Sequence, residues 1–151
     1  AAIVGTGLRA RESYAPSILQ NSGFHLRALW SRTQASAERF NLEVAGCSLE
    51  VFYGEEGFRR LLMRPDIEGC AVALPPHVQQ DYVERILASS RHVLSEKPVA
   101  PDRAAAEETL RRLEERGDDA TVWFISDSLR YEPVFDPASL RLGQLGPVLG
   151  A

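Results

Sequence analysis

Two glycines one residue apart, Gly5 and Gly7, follow the apolar run Ala1-Ala2-Ile3-Val4, and Ala10 comes three residues after the second. The spacing is Gly-x-Gly-x-x-Ala between a strand-like and a helix-like segment. Gly5 permits a tight turn, Gly7 carries no side chain to keep a pyrophosphate off the backbone, and Ala10 lets the helix lie close to the sheet. The start of that helix offers free N–H groups and the positive end of its dipole to phosphate. The pattern predicts dinucleotide binding by Gly5, Thr6, Gly7, Leu8 and Arg9, with a plain glycine-rich turn as the competing reading.

The second constellation is Ser31-Arg32-Thr33, at the end of the next strand-like segment. An NAD site carries Asp or Glu there for the ribose 2′-hydroxyl. Here there is none. A guanidinium suits a 2′-phosphate, which it can grip with two parallel N–H donors. Ser31 and Thr33 add hydroxyl donors. The chemistry points to NADP, with NAD as the alternative. The competing reading makes Arg32 a solvated charge and Ser31 a helix cap.

Two further groups follow strand-like runs: Leu74-Pro75-Pro76-His77, and Glu96-Lys97-Pro98. Ligands of an open α/β sheet lie at the carboxyl ends of its strands. Lys97 would bring a movable ammonium suited to acid–base work. The competing reading is a surface Glu96–Lys97 ion pair, which stabilises little. His77 is either a ligand contact or a surface residue at a helix start, and His25 and His92 read as structural.

The elements that must position these groups alternate regularly. Strands are expected over 1–4, 25–30, 67–74, 92–96 and 120–126. Helices are expected over 9–21, 34–40, 58–63, 78–90 and 101–117. In the first, Pro16 interrupts the ladder and Ile18 and Leu19 point inward. In the last, Asp102 caps the start, Leu110 and Leu113 point inward, and Gly117 ends the helix. Alternation of this kind predicts a doubly wound, mostly parallel α/β sheet with helices on both faces.

The 151 residues fit about one domain, with 44% apolar and 25% charged residues. The net charge of −4 comes without a Lys/Arg-dense block, which argues against nucleic acid as a partner. No apolar run reaches the length of a membrane span. Cys47 and Cys70 sit in apolar surroundings and read as reduced, buried thiols, not a bridge or a metal site. A cytoplasmic domain without a metal is the default expectation.

In chain order, "AIVGTG", "VALPP", "SRHVLSEKPVA" and "LRYEP" resemble the N-terminal Rossmann domain of the Gfo/Idh/MocA oxidoreductase family. The resemblance implies roles at matching positions. Lys97 would be catalytic, near the nicotinamide ribose and the substrate hydroxyl. Glu96 would touch that ribose or fix the lysine, and the bond before Pro98 would be cis. Leu74, Pro75 and Pro76 would lie against the nicotinamide half, and Arg130 beside the cofactor. Three positions depart from the family's pattern: Pro76 and Ser128 stand where Asn is usual, and Gln79 where His is usual.

The resemblance also implies a division into a Rossmann domain over 1–126 and a crossover into a second α/β domain over 127–151, with a helix over 134–145. The absent starting methionine and the "GA" end suggest a fragment. The missing domain would hold most of the substrate pocket and the dimer surface, so the full-length parent is expected to be a homo-oligomer. The isolated chain is expected to bind cofactor with little turnover. The expected function is NADP-dependent hydride transfer to or from a sugar, polyol or related carbonyl compound. A non-catalytic dinucleotide sensor or regulator of the same family is the alternative, and a module with an unused nucleotide fold is the third reading.

Overall fold

The structure is a computed structural model that describes residues 1–44, 49–117, 121–133 and 141 of the chain. Cys47 and nearly all of the helix expected over 134–145 lie outside the described residues. Six parallel strands form one sheet in the order β3-β2-β1-β4-β5-β6. They are β1 (Ala2–Val4), β2 (Ala28–Ser31), β3 (Glu50–Tyr53), β4 (Gly69–Val72), β5 (His92–Glu96) and β6 (Trp123–Ser126). The strand order reverses between β1 and β4. The crevice at their carboxyl ends is where a doubly wound sheet takes its ligand.

Helices cover both faces. One face receives α3 (Gly54–Leu62), α4 (Pro76–Ala88) and α5 (Arg103–Arg116). Phe58, Leu61, Val83, Ile86 and Leu87 pack there on Val4, Trp30, Val72 and Val93. The other face receives α1 (Ala15–Gln20) and α2 (Gln34–Glu43), with Tyr14, Ala15, Ala37 and Phe40 on Ile3, Leu29 and Ala71. β1 is buried on both sides, as its continuous apolar sequence requires.

The fold class is the expected one, and several local expectations need correction. β3 was not anticipated: it is an edge strand with only Phe52 buried, and its exposed Glu50 and Tyr53 mask the pattern. β2 begins at Ala28, not at 25, and all four of its residues are buried. The segment after Gly7 is not one α-helix. Ala10–Tyr14 form a π turn and α1 follows. Pro16 has no N–H to give, and the ladder widens just before it, with Ala15 N–H donating to the Ala10 carbonyl. Leu19 is 46% exposed, so Tyr14 and Ala15 make the inward contacts instead. On α5, Asp102 caps the Ala105 N–H and Gly117 closes the helix in the left-handed region. Leu110, however, is 51% exposed, and Thr109 faces inward. Thr109 can do so because Gln80 and Glu84 on α4 satisfy its hydroxyl. Burial pushes the Cys70 thiol up to about 12, in keeping with a buried structural cysteine.

Candidate functional site

The turn after β1 is fixed from below. Gly5 has φ +105°, and a Cβ there would stand 2.3 Å from the Ala73 carbonyl oxygen. Its N–H donates to the Trp30 carbonyl at 2.9 Å, while Ala73 N–H donates to Val4 at 2.8 Å. Three strand ends therefore meet on a residue that only glycine can be. Gly7 is different: a Cβ there would meet nothing within 4 Å, so its backbone faces open space. Arg11 holds the turn from the side. Its Nε donates to the Thr6 carbonyl at 3.1 Å, its guanidinium pairs with Glu43, and it lies over the Phe40 ring.

Above this turn runs a groove of about 350 Å³. Gly5, Thr6 and Gly7 form one wall, Ser31, Arg32 and Thr33 a second, and Leu74, Pro75 and His77 a third. Nine predicted residues from three separate segments thus share one space. The Ser31 and Thr6 hydroxyls are 3.0 Å apart and join the first two walls. The cap of α2 is Thr33, whose hydroxyl accepts from Ser36 N–H, which corrects the reading of Ser31 as the cap. Arg32 is exposed and forms no ion pair among the described residues. Trp30 and Tyr82 close the floor, packed on Phe58 with ring centroids 4.8–5.3 Å apart.

The other predicted residues gather at the end of β5. The Lys97–Pro98 bond is cis. Lys97 Nζ lies 3.1 Å from Asp127 Oδ1, and both side chains are half exposed. Glu96 does not hold the lysine. Its Oε1 accepts from the Tyr14 hydroxyl at 2.7 Å and lies 3.5 Å from Arg9 Nε. The alternative in which Glu96 fixes Lys97, and with it a Glu96–Lys97 ion pair, is therefore not present; each residue has its own partner. Burial, with the Glu96 hydrogen bond second, pushes the Tyr14 phenol above its ordinary range.

Gln79 fills the position where the family pattern expects His. It is 1% exposed, and its Nε2 donates to the Glu96 carbonyl at 2.6 Å and the Pro98 carbonyl at 3.1 Å. It clamps the backbone on both sides of Lys97 from α4. Pro76 opens α4 at a position where a missing N–H costs nothing, and it lies outside the groove lining. Leu8 is exposed at the helix start, and Arg130 lies in a short 3₁₀ turn, Ser128–Tyr131, just past β6.

Residues 1–124 match the oxidoreductase family with an NAD-binding Rossmann fold. The chain belongs to the Gfo/Idh/MocA family. It is 34% identical over 88 residues to dTDP-3,4-didehydro-2,6-dideoxy-alpha-D-glucose 3-reductase of Actinomadura kijaniata, a match covering 58% of this chain and 24% of the relative. It is 26% identical to dehydrogenase FPY6 of Fusarium mangiferae over 99% of this chain and 44% of the relative. Among solved structures it resembles KijD10, a 3-ketoreductase from Actinomadura kijaniata in complex with TDP-benzene and NADP. The TM-score is 0.78 at 25% identity, over 95% of this chain and 42% of that one. The chain thus spans less than half the length of these relatives.

For a Gfo/Idh/MocA chain, the lining fits a dinucleotide. Gly7 leaves its backbone open to a phosphate, and the first helical N–H groups after it face the same edge of the sheet. Two residues that hold this site were not singled out from the sequence, Arg11 and Tyr14; Gln79 was singled out as a departure from the pattern but not as a clamp. No signal in the sequence separates Arg11 and Tyr14 from the other polar residues of this segment, Glu12, Ser13, Ser17 and Gln20. For Gln79 the signal was the departure from His.

Proposed function

We propose that this chain is the NADP-binding part of an oxidoreductase that moves a hydride between a nicotinamide and a sugar, polyol or related carbonyl compound. The observation that carries the reading is the shared groove. The tight turn at Gly5, the open backbone of Gly7 and the guanidinium of Arg32, without an ion-pair partner among the described residues, line one space, with no carboxylate at the end of β2. Backbone N–H groups of Thr6, Gly7, Leu8 and Arg9 take the diphosphate. Ser31, Arg32 and Thr33 take the 2′-phosphate. Leu74, Pro75, Pro76 and His77 flank the nicotinamide half, with Arg130 beside it. Residues 1–126 are then the cofactor domain, and 127–151 lead toward a substrate domain and its dimer surface.

The nicotinamide, when bound, supplies the hydride chemistry. The protein's own contribution is orientation and one proton. Glu96 accepts from a ribose hydroxyl. Lys97, freed from Asp127, holds a proton at the substrate oxygen as charge develops there. Likeness to a dTDP-sugar 3-reductase, and to a ketoreductase solved with NADP, supports both the cofactor and a sugar-like substrate.

Titration with NADPH and NADH, followed by energy transfer from Trp30 and Trp123, tests the reading. NADPH should bind, and more tightly than NADH; no binding of either overturns it. In the full-length parent, assayed for NADPH oxidation with sugar ketones, Lys97→Ala should cost roughly a hundredfold or more in rate. No oxidation by the unaltered parent would favour a non-catalytic sensor, and a variant that keeps its rate would remove Lys97 from the reaction.

A further inference from the structure

We propose that Tyr14 is a positioning residue, which holds the Glu96 carboxylate so that its second oxygen meets a ribose hydroxyl on the nicotinamide side. The inference rests on the dinucleotide reading and assigns a residue that reading does not use. Tyr14 is the last residue of the π turn and only 5% exposed, packed in the core layer with Ile3, Leu29 and Phe40. Its hydroxyl nevertheless leaves that apolar layer and donates to Glu96 Oε1 at 2.7 Å, across 82 residues of sequence. Arg9 supplies a nearby positive charge to the same carboxylate oxygen.

Glu96 Oε2 has no hydrogen-bond partner among the described residues. A carboxylate tied at one oxygen by a buried, rigid phenol has lost the rotamers that would point the other oxygen away. What remains is a fixed acceptor at the carboxyl end of β5, beside Lys97. Its chemistry fits a neutral donor such as one hydroxyl of a vicinal diol. The π turn supports this role, since such turns inside helices recur at functional sites, and here the widened turn ends on the residue that bears the phenol.

The experiment compares NADPH with 2′,5′-ADP, which carries only the adenosine half. Tyr14→Phe should weaken NADPH about fivefold, the order expected for losing one hydrogen bond, and leave 2′,5′-ADP unchanged. Tyr14→Phe combined with Glu96→Ala should be no weaker than Glu96→Ala alone, because the phenol acts only through that carboxylate. Unchanged NADPH binding in Tyr14→Phe overturns the proposal. So does equal weakening of both probes, or additivity in the double variant. Failure of the unaltered chain to bind either probe removes the dinucleotide reading itself, a separate outcome.

Discussion

At the end of β1 the chain turns through Gly5 and Gly7 with backbone bonds and bare Cα atoms. At the end of β5 it turns through Glu96, Lys97 and Pro98, with side chains holding each step. The first turn leaves an open backbone and, across the groove, an arginine with no ion-pair partner among the described residues. At the second turn the charges are already engaged: Glu96 with Tyr14 and Arg9, Lys97 with Asp127, and the turn's carbonyls with Gln79. Binding at the first region therefore gains charge pairing that the free chain lacks. Binding at the second must exchange Asp127 for a new partner at Lys97, while Glu96 keeps Tyr14 at one oxygen. Substitutions at the first should act on folding or affinity, and at the second on orientation.

The largest effect should come from the two glycines, which look alike in sequence and differ in surroundings. Gly5→Ala places a Cβ 2.3 Å from the Ala73 oxygen at a φ of +105°. Backbone strain and overpacking each cost about 1–3 kcal/mol, so urea unfolding should register a loss of roughly 3–5 kcal/mol. Gly7→Ala meets nothing within 4 Å and should unfold within about 0.5 kcal/mol of the unaltered chain. Its cost should appear instead as NADPH affinity, where the new methyl stands against the phosphate. Equal stability losses at the two positions would break the distinction between a packed and an open glycine.

Arg32→Ala sharpens the affinity half of the comparison. A lost charge-assisted bond to a 2′-phosphate should weaken NADPH by about 1.5–3 kcal/mol. NADH, which lacks that phosphate, should be nearly unaffected. Parallel titrations of the two dinucleotides measure the difference, and an equal loss for both would remove the 2′-phosphate assignment.

These contrasts also explain what could be read in advance. Gly5, Gly7 and Arg32 were legible because their residue types and spacing carry the chemistry within a few positions. The sheet was legible because strand and helix alternate. β3 was not, because an edge strand with one buried residue gives almost no pattern. Thr109 displaced Leu110 from the core through polar partners on α4, 25–29 residues away. Tyr14 reaches Glu96 from the end of the π turn across 82 residues of sequence, and no short-range signal contains that contact. Apart from Arg11, the groups that hold both turns come from distant segments, so sequence spacing locates the groove lining better than it locates what holds it.

The second turn carries an alkaline signature through Tyr14. Tyr14 has a pKa raised above 10 in the folded state, with burial the main cause and Glu96 the second. The neutral phenol is thus favoured by folding, and that contribution is complete below pH 10. Above it the unfolded phenol ionises while the folded one does not, so stability falls by about 1.4 kcal/mol per pH unit from this group. Chemical denaturation between pH 9 and 11 should show the fall, and Tyr14→Phe should make it shallower, with the raised Cys70 and Tyr82 groups supplying what remains. An unchanged slope in the variant would mean that the phenol is not held as its environment implies.

The smallest expected effect is the most discriminating. Lys97 and Asp127 form a half-exposed pair, and such pairs stabilise by about 0–1 kcal/mol. Lys97→Ala should therefore leave unfolding nearly unchanged, and Asp127→Asn likewise, because Gln79 and not the ion pair holds the turn. Asp127→Asn should still be informative: it releases the ammonium without altering the backbone that presents it. If Lys97 serves the reacting centre, that release should raise or preserve the rate of NADPH oxidation where Lys97→Ala abolishes it. If the pair were a structural fastening, both variants should lower stability together by more than 1 kcal/mol, and the division between a site built for affinity and a site built for orientation would fail.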